Sequence, residues 1–361
     1  MATVSRRAFT LVELVVVLSI ITILLSIFLP AVQSARTASR QSQCRNNLKY
    51  LGLALHNYQD TFRTYPPGWV AQNDAPESGP YVGWQTMILP FLDQQPLYNK
   101  FDFSGQSAPE FSNPEIASMT LNPYRCPSDS TPDLNPFRNG LATSNYSGNF
   151  GSKALPRLLP DRMSQWFPGV SPTPRESDGI FFYNSRIGIR DIPDGTSNTL
   201  MAGERGVASG SGIWLGLVQN QFENDQVTDG SERSPLNRSY SAWSSSHSNG
   251  VQVLFCDGTV RFLSQEISTG VVSGQRGVFQ RLCSRNDGGA IGDLDTIQPA
   301  PTNSRPTRSA PSGVPDTLPG PPEEKTDSKK ADAAADEKAP DPAKSDNKAA
   351  DEKPSDSKKA E

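Results

Sequence analysis

The chain has 361 residues, enough for one large or two modest domains, and its 34 basic against 38 acidic side chains leave a net charge of -4. That balance carries no electrostatic footprint for nucleic acid. Only two histidines occur, His56 and His247, which argues against a histidine-rich metal centre, so no cofactor is expected.

The N-terminal stretch RRAFTLVELVVVLSIITILLSIFLPAVQ is predominantly apolar from Phe9 to Val32. It is long enough to cross a bilayer core of about 30 Å as a helix. Arg6 and Arg7 precede it, and positive charge there keeps the N-terminus cytoplasmic and the rest of the chain outside. A secretory signal peptide would have a shorter apolar region ending in small residues, and AVQSAR matches that poorly. Glu13, just inside the apolar run, is unexpected in a signal peptide and in a plain anchor. A carboxylate there is costly unless something pairs with it.

RRAFTLVEL resembles the type IV prepilin cleavage and methylation signal. The resemblance implies cutting between Ala8 and Phe9 by a prepilin peptidase, then methylation of the new Phe9 amine by the same enzyme. Such signals usually have Gly where Ala8 stands. The implied partners are that membrane enzyme, the membrane itself, and other pilin-like subunits or further copies of this chain. Glu13 becomes the fifth mature residue, the assembly element that neutralises a neighbouring subunit's amine. A paired buried charge is tolerable where an unpaired one is not, and it enforces register.

Beyond Pro30 a helical pattern continues. Cys44, Leu48, Leu51, Leu55 and Tyr58 recur at helical spacing as one apolar stripe on a polar helix. One helix from Phe9 to about Tyr58 is expected, roughly 75 Å long at 1.5 Å per residue. Pro66, Pro67 and Gly68 end it. Short helical or turn-rich segments follow in GWQTMILPFLDQQPLYNKFDF and around 113–119. Cys126 stands in a turn-like context, SNYSGNFG reads as loop or strand edge, and the Pro-rich stretch 155–176 reads as irregular. Phe181 to Asn184 and Ile187 to Ile192 read as two short strands. Asp194-Gly195 reads as a turn, a further run begins at Ile213, and 219–237 reads as a loop.

VQVLFCDGTVRFLS is the sharpest local signal, because Asp257-Gly258 is a favoured two-residue hairpin turn. Pairing outward from it sets Phe255 opposite Val260 and Val253 opposite Phe262. Those four share one face and leave Gln252 and Arg261 on the other. The apolar face needs a partner, and the stripe on the long helix is the candidate.

His247 stands nine residues before Asp257-Gly258, and this H-x9-D-G pattern resembles the signature of a large bacterial prepilin-like family of unknown function. QCRNNLKYLGLALHNYQD, WQTMILPFLDQQPLYNKFDF, RCPSD, NYSGNFG and DGTSNTLMAGER resemble further segments of that family, in order. The resemblance adds Asp194, Gly195 and Asn198 to His247, Asp257 and Gly258 as signature positions. It implies a pilin-like fold and no established activity.

No G-x-S-x-G elbow accompanies Ser244, Ser245 and Ser246, so no nucleophilic triad is read and no enzyme is expected. Asp191, Asp194, Asn198 and Asp257 are oxygen donors near turns, and because pilin relatives include calcium binders a calcium site is one reading of them. The plainer reading makes them turn and capping residues, and no metal is assigned. Outside the membrane, disulfides become possible. The four cysteines, Cys44, Cys126, Cys256 and Cys283, allow three connectivities. Cys44 and Cys126 lie in family-like segments, and pairing them would staple the long helix to the body. Cys256 and Cys283 are then candidates for a second bridge.

From Ile297 the chain turns Pro/Ser/Thr-rich and then into a Lys/Asp/Glu/Ala/Pro mixture without aromatics. Such a segment buries too little to offset its chain entropy and is expected to be disordered. The expected organisation is a leader (1–8), a transmembrane helix (9–33), its amphipathic continuation (34–60), an extracytoplasmic domain (61–296) and a tail (297–361). The expected fold is α+β and pilin-like, a long N-terminal helix packed on an antiparallel sheet with large loop-rich insertions. The function expected is that of a non-enzymatic minor pilin or pseudopilin-like subunit of a surface filament or secretion apparatus. The alternative is a membrane-tethered extracytoplasmic module that binds a polysaccharide or solute.

Overall fold

A computed structural model describes residues 9–289, apart from 72–81, 102, 104–113, 137, 156–176, 217–224, 240–241, 270 and 273–274. The chain divides into two units, residues 1–310 and 311–361, and the second lies outside the described residues. So do the leader, the Pro-rich stretch 156–176 and the tail from 297.

Helix α1 spans Leu11–Phe62 without interruption at Pro30. Its 52 residues extend about 78 Å at 1.5 Å per residue. The start is fixed by a capping box. The Thr10 hydroxyl accepts from the Glu13 amide at 3.3 Å, and Glu13 Oε2 accepts from the Thr10 amide at 2.9 Å and from its hydroxyl at 2.8 Å. The end is an αL cap at Arg63, φ 66°, whose amide donates to the Gln59 carbonyl. The helix has two distinct halves. Its apolar window near the N-terminus has no residue buried in the protein. Its second half buries Cys44, Leu48, Leu51, Gly52, Ala54, Leu55 and Gln59. Burying the three leucines alone contributes roughly 5–9 kcal/mol as an upper bound.

What they pack on is a five-stranded sheet of order β6-β3-β4-β7-β8. Its strands are β3 (Tyr146–Gly151), β4 (Leu200–Glu204), β6 (Val227–Asp229), β7 (Gly250–Phe255) and β8 (Val260–Ser264). All pairs are antiparallel except β3 with β6, which is parallel. A second sheet joins β1 (Leu134–Asn135), β2 (Leu141–Ser144) and β5 (Gly212–Ile213). A short pair joins β9 (Val271–Val272) to β10 (Gln275–Arg276). Short helices α2 (Trp84–Met87), α3 (Gln95–Tyr98) and α4 (Pro114–Ala117) follow the long one, and α5 (Val278–Cys283) closes the domain.

The main sheet is covered on both faces. Leu254, Cys256 and Val260 join the α1 stripe in one apolar cluster. Val251, Val253, Phe255 and Leu263 join Trp243 and the α5 residues Phe279, Leu282 and Cys283 in another. Central strands β3, β4 and β7 are therefore buried along their whole length, as a doubly covered sheet requires. At Gly52 the helix lies tight against β7: a Cβ there would be 2.8 Å from Leu254 Cδ1.

Several expectations are corrected. The hairpin forms, but its register is one residue away from the expected one: Leu254 faces Val260, Val253 faces Arg261 and Gln252 faces Phe262. The turn has three residues, Cys256, Asp257 and Gly258. The Gly258 amide donates to the Phe255 carbonyl, the Phe255 amide donates to the Thr259 carbonyl, and Gly258 sits at φ +83°. This is a turn closed by an αL glycine bulge, in which Asp-Gly occupies the last two positions. A one-residue slip exchanges the faces, so Leu254 rather than Phe255 meets the helix. SNYSGNFG supplies β3, a central strand, because Ser147 and Asn149 find buried partners. Phe181 to Asn184 contributes only the bridge of Tyr183 to Trp69, and Ile189–Asp191 is a 3-10 turn. β6 lies inside the expected loop at 219–237.

Candidate functional site

The signature residues separate along the fold. His247 precedes β7 and Asp257-Gly258 follows it, so the spacing measures one strand, about 20 Å for six residues. Asp257 Oδ1 accepts from the Thr259 amide at 2.8 Å and its hydroxyl at 2.7 Å, which tightens the hairpin tip. Gly258 abuts His56 on α1, whose Nε2 would lie 3.4 Å from an added Cβ. Asp194 closes a different junction, accepting from the amides of Asp287 and Gly288 at 2.7 and 3.0 Å. Asn198 donates to the Asp194 carbonyl at 3.0 Å, across Gly195 at φ +94°. Asp191 Oδ2 caps the Gly188 amide at 2.8 Å. These carboxylates are each engaged by nearby backbone, which accounts for them as turn and capping groups.

Other residues do converge. Cys44 on α1 and Cys126 form a disulfide with Cα atoms 5.1 Å apart. It staples the helix to the body. Against it lie Glu204, at the end of β4, and His247. His247 Nε2 is 3.1 Å from Glu204 Oε1 and 3.7 Å from Cys126 Sγ, and Glu204 Oε1 is 3.6 Å from Cys126 Sγ. Glu204 Oε2 accepts from the Gln252 amide at 2.7 Å. All four residues are buried, with Glu204 2% and His247 8% exposed. The Tyr146 hydroxyl donates to the Cys44 carbonyl at 3.4 Å. Burial first, and Glu204 second, raise the Tyr146 phenol well above its ordinary pKa, so it stays a donor.

Local chemistry explains why the chain folds this way here. Asn145, just before β3, accepts from the Cys126 amide at 3.0 Å and the Arg125 guanidinium at 2.8 Å. It donates to Asp129 at 2.6 Å. One asparagine thus ties RCPSD to NYSGNFG and presents the Cys126 sulfur to Glu204 and His247. Glu204 escaped the sequence reading, although a carboxylate ending the apolar strand LMAGE was a legible anomaly.

The second bridge does not form: Cys256 and Cys283 are buried free thiols. They belong to opposite faces of the sheet, Cys256 to the helix side and Cys283 to the α5 side. Burial is the main cause holding both thiols well above their usual pKa, so they are protonated and unreactive.

Near the end of α1, Tyr58, Phe62, Thr64, Pro67, Asn184, Ser185 and Arg186 line an open cleft of about 830 Å³. Tyr58 and Phe62 have ring centroids 4.5 Å apart.

An exposed apolar half-helix continuous with a half packed on a largely antiparallel sheet defines a pilin-like, membrane-anchored, single-pass α+β protein. The N-terminus agrees: residues 4–29 match the prokaryotic N-terminal methylation motif. Residues 33–270 match the family described as "Protein of unknown function (DUF1559)", and the chain belongs to that family. No curated protein and no solved structure matches the chain.

Proposed function

We propose that the chain is a prepilin-like structural subunit, processed between Ala8 and Phe9 by a prepilin peptidase and methylated on Phe9, that assembles as a minor pilin or pseudopilin. The domain after the span lies on the extracytoplasmic side, following the charge of Arg6 and Arg7. One observation carries the reading. The methylation motif heads a helix whose apolar half is not buried by any of the described residues, while one face of the other half packs into the domain. Such a half-helix is free to pack in lipid or against the same half of other subunits.

Glu13 fits this role. Its carboxylate is held at the helix N-terminus by the amide and hydroxyl of Thr10, the residue after Phe9. It therefore stands beside the amine that cleavage would create, ready to pair with its own or a neighbour's. The proposed role is structural and non-enzymatic. The test is in vivo crosslinking of cells carrying Glu13→Ala. Loss of crosslinked oligomers at unchanged subunit level is expected. Oligomers persisting unchanged would remove the charge-pairing account.

The cleft beside Tyr58 and Phe62 favours a second reading, a tethered module for a polysaccharide or solute. Two neighbouring aromatic rings, tilted to each other, with Arg186 beside them suit a sugar face. It predicts a ligand-dependent rise in Tm that Phe62→Ala removes.

A further inference from the structure

In the oxidised centre Cys126 Sγ and Glu204 Oε1 face each other, and the sulfur has no proton to donate. A disulfide sulfur carries no proton, yet Cys126 Sγ lies 3.6 Å from Glu204 Oε1, a carboxylate oxygen in a site with 2% exposure. A staple does not need a buried carboxylate beside it, and burying one costs several kcal/mol before compensation. His247 Nε2 compensates Oε1 and the Gln252 amide compensates Oε2, but neither explains why both aim at the sulfur.

The distances have a simple interpretation. Zinc binds sulfur at about 2.3 Å and nitrogen or oxygen at about 2.0–2.1 Å, tetrahedrally. The edges of that tetrahedron are then about 3.6 Å for sulfur to nitrogen or oxygen and about 3.3 Å for nitrogen to oxygen. The centre has 3.7 Å from Cys126 Sγ to His247 Nε2, 3.6 Å from Cys126 Sγ to Glu204 Oε1 and 3.1 Å from His247 Nε2 to Glu204 Oε1. Three edges of a zinc tetrahedron are already in place, and the fourth ligand atom, Cys44 Sγ, lies within 4.8 Å of the others.

We propose that the reduced form of this centre is a closed structural zinc site with Cys44, Cys126, Glu204 and His247 as its four ligands. The cystine and the zinc site are alternative staples between α1 and the sheet. The interconversion balances: the protein disulfide, an external dithiol and Zn²⁺ give the zinc bis-thiolate, the oxidised dithiol and two protons. One sulfur keeps the electron pair of the broken S–S bond, the other takes the pair supplied by the dithiol, and both remain thiolates on the metal. They part from one bond length to about 3.8 Å, a movement of less than 2 Å. His247 binds as neutral imidazole through Nε2. The Gln252 amide on Oε2 leaves Oε1 as the ligand atom and fixes its direction. The same four groups explain why the segments around Cys44, Cys126, Glu204 and His247 meet at one point.

The test uses the full chain in detergent micelles, reduced with a phosphine (which becomes its oxide with oxygen from water) and titrated with Co²⁺ as the spectroscopic probe. One equivalent is expected to bind with thiolate-to-metal charge-transfer bands and a tetrahedral d–d spectrum, and Zn²⁺ is expected to displace it. The unreduced chain is expected to show neither. Glu204→Gln and His247→Ala are each expected to weaken binding roughly 10-fold or more. Cys256→Ala with Cys283→Ala is expected to change nothing. Should reduction unfold the chain, added Zn²⁺ is expected to restore its native tryptophan fluorescence. The proposal is overturned by a reduced, folded chain without the tetrahedral spectrum. A spectrum that survives Cys44→Ser with Cys126→Ser overturns it too, as do an affinity unchanged by Glu204→Gln or by His247→Ala and an unfolded reduced chain that zinc does not restore.

Discussion

The contact between Gly52 and Leu254 makes a prediction whose sign depends on its partner. Gly52→Ala adds a Cβ 2.8 Å from Leu254 Cδ1 in a fully buried site. Overpacking of that kind costs about 1–3 kcal/mol. The same change gains about 1 kcal/mol of helix propensity. The net effect in the natural chain is destabilising by roughly 0–2 kcal/mol. Leu254→Ala alone costs about 2–5 kcal/mol, because its side chain is the sheet's knob against the helix. In that background the new methyl meets empty space, and Gly52→Ala becomes stabilising by about 1 kcal/mol. The coupling between the two changes is then about 1–3 kcal/mol. Denaturant unfolding of the full chain in micelles measures it, followed by the fluorescence of the buried tryptophans Trp69, Trp84, Trp214 and Trp243. Equal effects of Gly52→Ala in both backgrounds would refute the packing of the helix on β7 through this pair. They would also favour the expected hairpin register, which turns Phe255 and not Leu254 toward the helix.

Three further outcomes are expected. Cys44→Ser with Cys126→Ser opens a link across 82 residues, which chain entropy values at about 4.5 kcal/mol, and a lower denaturation midpoint in the oxidised protein measures it. Gly258→Ala forces a side chain into φ +83° and loses about 1–2 kcal/mol, whereas Gly258→Asn loses less, a ranking that thermal melts resolve. Asp194→Ala releases the half-buried Asp287 amide and the exposed Gly288 amide to water and loses about 0.5–1.5 kcal/mol, with faster hydrogen exchange at those two amides as its local mark.

What the residues revealed beforehand was whatever rests on local periodicity or turn chemistry. The long helix, its stripe from Cys44 to Leu55 and the existence of the hairpin follow from spacing within a few turns or one strand pair. The register did not, because Asp-Gly serves both a two-residue turn and the end of a three-residue turn, and the choice falls to packing on α1. Strand β3 was obscured by its glycines. It is a strand because Ser147 pairs with Thr228 and Asn149 with backbone on two neighbours, all distant in sequence. The parallel pairing with β6 has no local signature. His247 is conspicuous as one of two histidines, but its spacing to Asp257 points along the strand rather than to a site. Its actual partner, Glu204, lies on the strand beside β7. Pairing Cys256 with Cys283 fails because strand alternation and α5 put them on opposite faces.

Processing as proposed would leave Glu13 beside a new N-terminal amine on Phe9. Mass spectrometry of the native protein's N-terminal peptide tests it most directly. A peptide beginning at N-methylated Phe9 is the predicted result. An intact start at Met1 or Ala2, or a start near Arg36 after release from the membrane, would contradict it.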